Sequence, residues 1–364
     1  VSSTMMASWI WGSSIGAAIT GIILSIKYKV PIITAWSAPG TALLVALFPH
    51  ISLNEVVAAY ITSAVIIFFI GVTGSFDKLL KWIPQGVAAG MMAGILFQFG
   101  VGLFKATDSM PYVVFGMLAC FLLAKRFSPR YAIIWVLLSG IALSVLFGKI
   151  NPVPMNFSLA IPELIMPEWT WSSTLNLAIP LTIVSLTGQF LPGMAILKLS
   201  GYNTPAKPIL SVASIVSLAV AITGGITIVL AAITAALCTG KDSHELKEKR
   251  YIAGIANGIF YILGGLFAGS IVMLFSILPK ELVAALAGLA LLGAIATNIS
   301  VAMKDESQRD AALITFLATV SGMHFLGFSS VFWGICIGMI SHLVLSKREA
   351  KIITPPSTQN STQS

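Results

Sequence analysis

The sequence predicts an all-helical polytopic membrane protein built as an inverted repeat, with two short strands that each lead into a half-helix. Three observations carry that prediction. Hydrophobic residues make up 57% of the 364 residues and charged residues only 9%, against roughly a quarter charged in a soluble domain; mean hydropathy is +0.95. Apolar runs of about 17–25 residues, the length that spans a bilayer as a helix, recur from end to end. Two distant pairs of segments also resemble each other at nearly the same offset.

The apolar runs place thirteen crossings near residues 8–26, 31–49, 54–74, 85–104, 111–125, 130–148, 173–192, 207–222, 224–240, 251–275, 282–303, 310–325 and 329–346. Charge supports that count. With the loops taken alternately, one side holds Lys27, Lys29, Lys78, Lys81, Lys125, Arg126, Arg130, Lys198, Lys207, Lys241, Lys247, Lys249, Arg250, Lys304, Arg309, Lys347, Arg348 and Lys351, and the other only Lys105, Lys149 and Lys280. The basic side is expected to be cytoplasmic, with the C-terminus on it and residue 1 outside. Orientation therefore accounts for the net charge of +8, and no nucleic-acid partner is expected. Trp9, Trp11, Trp169 and Trp171 fall at outer span ends, as an aromatic belt would place them. "SFDKLLKWIP", from Ser75, reads as a short helix lying in the bilayer interface. Cys120, Cys238 and Cys336 sit in apolar segments and are expected to pack as small hydrophobes. No cofactor or metal is implied. No cleavable signal peptide is visible, and the absence of an initiator Met suggests a chain incomplete at its N-terminus.

"KWIPQGVAAGMMAGILF", from Lys81, resembles "FSILPKELVAALAGLALLG", from Phe275, with one residue inserted. "VPIITAWSAPGTALLVALFP", from Val30, has a weaker partner in "GGITIVLAAITAALCTG", from Gly224. An odd number of crossings separates the members of each pair, so the second copy is inverted, as in many secondary transporters. The repeats are expected at 1–149 and 173–346, with a connecting loop at 150–172 on the outer face and a disordered tail at 347–364. In each member of the second pair a β-branched run precedes a small-residue helix. At ~3.3 Å per residue an extended run of about five residues reaches the middle of a ~30 Å hydrocarbon layer. Pro31 to Trp36 would enter from one side and Thr223 to Ile226 from the other, pairing antiparallel at the midplane. Half-helices would start near Ser37 and Thr227, both suitable caps, with Pro39 tolerated in a first turn. Irregular backbone at that depth is acceptable only inside protein or beside a polar cavity, so the interruptions mark a site.

"PIITAWSAPGTALL", "GQFLPGMAILKLSGYNTP", "LAAITAALCTGKDSH", "RYIAGIANGIFYILGGLF", "LAGLALLG" and "SGMHFLGFSSVFWG" resemble the conserved blocks of the benzoate/proton symporter family of bacterial inner membranes, up to about residue 346. The resemblance implies the fold of nucleobase/ascorbate and sulfate-type anion transporters: fourteen helices in two inverted repeats of seven, divided into a core and a gate domain. It also implies uptake of benzoate or a related aromatic carboxylate coupled to protons. Thirteen crossings with an outer N-terminus are what remains of that pattern without its first helix.

Half-helix N-termini carry partial positive charge and free N–H groups, a natural cradle for a carboxylate. Substrate contacts are therefore expected from Ser37 and Thr227 at the caps, Gly225 at the second interruption, and Trp36 covering an aromatic ring. Gln189 is the only amide of the seventh crossing, flanked by Gly188 and the apparent break Phe190-Leu191-Pro192-Gly193, and it joins the candidates with Thr187 and Phe190. Packing alone could equally explain Trp36, and interhelical hydrogen bonding Gln189. Gly90, Gly94 and Gly288 are expected to permit close helix packing. A symporter wants a titratable group within the membrane; no acid lies well inside the core spans, and His324 is the nearest to buried. "HELKE", from His244, begins like a zinc-protease motif but has Glu248 where the second His belongs, so no enzyme is expected. Another small organic anion, a nucleobase-like compound or an anion channel remain as alternatives. The oligomeric state is open, a homodimer included.

Overall fold

The computed structural model describes residues 2–48, 51–80, 82–150, 159–241 and 243–352. Its first half runs α1 (Ser3–Tyr28), β1 (Thr34–Trp36), α2 (Ala38–Leu47), α3 (Leu53–Thr73), the short α4 (Phe76–Leu80), α5 (Gln85–Lys105), α6 (Pro111–Phe127) and α7 (Ala132–Leu146). The second runs α8 (Trp171–Leu199), α9 (Ala206–Ala221), β2 (Ile228–Leu230), α10 (Ala232–Thr239), α11 (Tyr251–Leu266), α12 (Ala268–Ile277), α13 (Lys280–Lys304), α14 (Glu306–Val320) and α15 (Ser330–Ile352). Six of these helices are long and apolar enough to cross a membrane, and the α11–α12 pair makes a seventh.

Local chemistry sets the ends. The Ser2 hydroxyl caps α1 by accepting from Met5 N–H at 3.1 Å, and the helix stops at Lys29 in the left-handed region (φ 53°). Ser52 and Glu55 form a capping box in front of α3, which satisfies two donors that a helix start leaves free. The repeated helices α5 and α13 each begin directly behind a proline, Pro84 and Pro279.

The helices sort into two packed groups. Around the strands, α1 packs on α11 and α3 on α9; in the other group α5 lies against α13 and α14, α14 against α15, and α6 against α7. The expected small-residue contacts are present. An added Cβ on Gly90 would meet the Ala312 carbonyl oxygen, one on Gly94 would reach Thr319 Cβ at 2.7 Å, and one on Gly288 the Phe99 carbonyl oxygen at 2.7 Å. Leu177, Leu181, Met91 and Leu96 are fully buried where α8 meets α5.

Four expectations need correction. The crossing at 251–275 is not straight: α11 and α12 meet at 67°. Trp9 does not join a belt, since its ring lies against Gly224 and its Nε1 is buried. The apparent break after Gln189 is no break, because α8 continues to Leu199. It contains two wide turns instead, closed by Ile179 N–H to Thr174 C=O and Leu191 N–H to Leu186 C=O. Each lies just ahead of a proline, Pro180 or Pro192, whose missing N–H cannot bond four residues back. Finally, α15 extends through Ile352, so helix covers the start of the tail expected from 347; residues 353–364 lie outside the described residues, as do 151–158 of the connecting loop.

Candidate functional site

β1 and β2 come from opposite halves of the chain and pair antiparallel, Thr34 with Leu230, Ala35 with Val229 and Trp36 with Ile228. Two further backbone bonds extend the ladder: Ser37 N–H to Thr227 C=O at 3.0 Å and Ala231 N–H to Ile33 C=O at 2.8 Å. Serine hydroxyls of neighbouring helices bond three further N–H groups of the irregular backbone. Ser13 Oγ accepts from Ile226 N–H at 3.2 Å and Ser217 Oγ from Ile228 N–H at 2.8 Å. Ser25 Oγ accepts from Ile32 N–H at 3.2 Å, and Thr34 Oγ1 donates to the Ala17 carbonyl at 2.7 Å. An unpaired peptide group buried here would cost about 1–3 kcal/mol. These serines on α1 and α9 are the residues that sequence reading missed. Their only signal is a set of small hydroxyls in otherwise apolar helices.

The two half-helices leave the ladder in opposite senses. Ser37 is the cap of α2, fully buried, its Oγ accepting from Gly40 N–H at 3.1 Å. Pro39 occupies the first turn, as expected. The second half-helix starts four residues later than the sequence suggested. Its cap position is Ala231, with no side-chain hydrogen bond, and Thr227 instead lies in the extended run, lending its carbonyl to Ser37. The shift arises because Gly224 (φ 80°) ends α9 in a turn, so Thr223 and Gly224 belong to the helix end and the extended run occupies Gly225 to Leu230. Among the described residues, no side chain occupies the first-turn N–H groups of α10.

The other sequence candidates do not share one cavity. Trp36 is 38% exposed, and its ring meets Tyr261 edge-on at 5.4 Å. It borders a cavity of about 610 Å³ lined also by Trp9, Thr41, Phe48, Tyr60 and Phe275; none of the other expected site residues lines that cavity. Gln189 and Thr187 are half-buried on α8 beside β2 and α5. The Thr187 hydroxyl donates to the Ile183 carbonyl at 2.7 Å, an intrahelical bond that leaves it little free capacity. Phe190 is fully buried in a cluster with Ile32, Val229 and Leu230, which makes it a support beneath the ladder. Gly225 allows close approach to α1: a Cβ there would lie 3.0 Å from the Gly12 carbonyl carbon. Thr227 Oγ1 and Ser185 Oγ are buried with no hydrogen-bond partner. The expectation that His324 is the titratable group nearest to buried is not met, because α14 ends at Val320 and His324 is exposed in the following loop, its Nδ1 3.0 Å from the Gly322 carbonyl oxygen.

Comparison with known proteins agrees with this geometry. Solved structures with similar backbones include SLC26A9 (TM-score 0.60, 13% identity, covering 95% of this chain and 65% of that one). The transmembrane domain of the cyanobacterial bicarbonate transporter BicA is also similar (TM-score 0.55, 15% identity, 94% of this chain and 93% of that one). These likenesses show the fold. Among curated proteins, the "Benzoate membrane transport protein" of Acinetobacter baylyi is 73% identical over 350 residues, which cover 96% of this chain and 89% of that protein. The "Inner membrane protein YdcO" of Escherichia coli is 35% identical over 344 residues, 94% of this chain and 88% of that one. The sequence profile described as "Benzoate membrane transport protein" matches residues 1–344, and the chain belongs to that family of membrane transporters.

Proposed function

We propose that the protein carries benzoate, or a similar aromatic carboxylate, across the bacterial inner membrane by proton symport with alternating access, its C-terminus in the cytoplasm. The observation that carries this reading is the β1–β2 ladder, which sets two half-helix starts head to head. A carboxylate placed there meets two positive helix ends and the open N–H groups of α10, with no need for a buried cation. The aromatic ring of the substrate lies along Trp36, and the Gln189 amide donates to the carboxylate from α8. Thr227, with its unpartnered hydroxyl, faces the guest between the half-helices. The 73% identity to a protein named for benzoate transport supports the choice of substrate.

The test is uptake of labelled benzoate into proteoliposomes with and without an imposed pH gradient. Gradient-driven accumulation is expected. Equilibration at a rate indifferent to the gradient removes symport, and no uptake of benzoate in competition with other small carboxylates removes the substrate.

A further inference from the structure

Arg250 is the only charged residue among the described ones whose side chain is buried, at 9% exposure. Its guanidinium binds backbone carbonyls: Nε donates to His244 at 2.8 Å, Nη1 to Thr239 at 2.7 Å and Nη2 to Glu245 at 3.3 Å. Thr239 is the last residue of α10. The cation therefore sits where a helix gathers unpaired carbonyls and partial negative charge. The loop that bears it is itself fastened. Tyr202 donates its hydroxyl hydrogen to the Lys247 carbonyl at 3.1 Å, while Lys247 Nζ donates to the Gly201 carbonyl at 2.7 Å and lies 4.7 Å from the Tyr202 ring centre. The other half-helix is finished differently: α2 has no basic residue in its last turn, and among the described residues its end shows the Phe48 N–H turned back to the Leu44 carbonyl.

An eight-residue helix is about 12 Å long and too short to hold together by itself. Whatever secures the far end of α10 also sets where its first turn lies. We propose that Arg250 is a positioning residue of the transport site, clamping α10 at the basic face so that its open N–H turn stays at the ladder. The inference rests on reading α10 as an anion cradle.

The test uses the full chain with Cys238 as its sole cysteine (C120A, C336A), since Cys238 is half-buried on α10, one residue before Thr239. R250Q and R250K are compared with the parent in proteoliposomes by the rate at which a small permeant maleimide alkylates Cys238, and by KM and Vmax for labelled benzoate. In R250Q alkylation is expected to quicken about ten-fold, the equivalent of one lost charge-assisted hydrogen bond. KM should rise by a similar factor, with Vmax per folded transporter held within about two-fold. R250K keeps the charge at the helix end and should recover about half of each change on a logarithmic scale. Parental Cys238 reactivity and KM in folded R250Q overturn the proposal, as does a fall in Vmax at constant KM. If R250Q does not fold, the same two readouts on R250K decide, with about a three-fold change expected in each. If the parent fails to take up benzoate while R250Q still exposes Cys238, the clamp stands and the substrate reading falls.

Discussion

The β1–α2 unit approaches the crossover through Pro31 and starts its helix with a capping serine, whose hydroxyl fills the Gly40 N–H. The β2–α10 unit approaches through Gly224 and Gly225 and starts its helix behind Ala231, whose side chain makes no cap bond. The far ends differ as well, α10 ending under a guanidinium and α2 with no basic residue in its last turn. A similar backbone path is thus held from different places. In the first unit the restraint lies at the ladder itself; in the second it lies in the turn before the strand and in the loop after the helix. What remains open at the centre is mainly the first turn of α10.

The largest effect that sharpens this contrast is expected at Gly224. Its φ of 80° suits glycine, and a Cβ there would collide with the Trp9 ring. Gly224→Ala should cost about 2–5 kcal/mol from left-handed strain and overpacking together, read as lost folded yield and a lowered thermal midpoint in detergent. At the matching approach, Pro31→Ala should cost within about 1 kcal/mol, since it acts mainly through the unfolded chain. Equal losses at the two positions would break the comparison.

Next comes Gln189. Gln189→Ala should raise KM for benzoate about ten-fold, the scale of one hydrogen bond to a charged group, with no loss of stability because the amide has no protein hydrogen bond among the described residues. Unchanged affinity would remove Gln189 from the site. Ser37→Ala should lower stability by about 1 kcal/mol through loss of the cap. The smallest expected effect runs the other way: Ala231→Ser should stabilise the protein by about 0.5–1 kcal/mol by supplying the missing cap. The same serine would occupy an N–H that the carboxylate needs and so weaken uptake. A serine there that raised both stability and affinity would mean that the open turn of α10 is not the anion cradle.

Much of this was legible in the residues. Ser37 with Pro39 and Gly40 behind a β-branched run is a specific start signal, and the strand and cap fell where that signal put them. The second unit was found but misplaced, because Gly-Gly reads the same whether it opens an extended run or closes the preceding helix; only the left-handed turn at Gly224 distinguishes them. Pro192 looked like an interruption because proline in a helix interior usually is one. The wide turn ahead of it absorbs the missing bond, and no pattern in the sequence announces such a turn. The bend between α11 and α12 has no proline to mark it either. That bend brings Phe275 to the cavity beside Trp36, which is why the cavity was not foreseen. His324 misled because the apolar run around it continues past the point where the helix ends.

The ladder between the two halves has a consequence for how the protein is made. At about 5–20 residues per second of synthesis, the partner of Thr34 leaves the ribosome roughly ten to forty seconds after Thr34 itself. For that interval the peptide groups of β1 lack their partners in β2, in a solvent where an unmatched amide costs several kcal/mol. The first half is therefore made with an unpaired strand edge, and that edge closes only once β2 arrives.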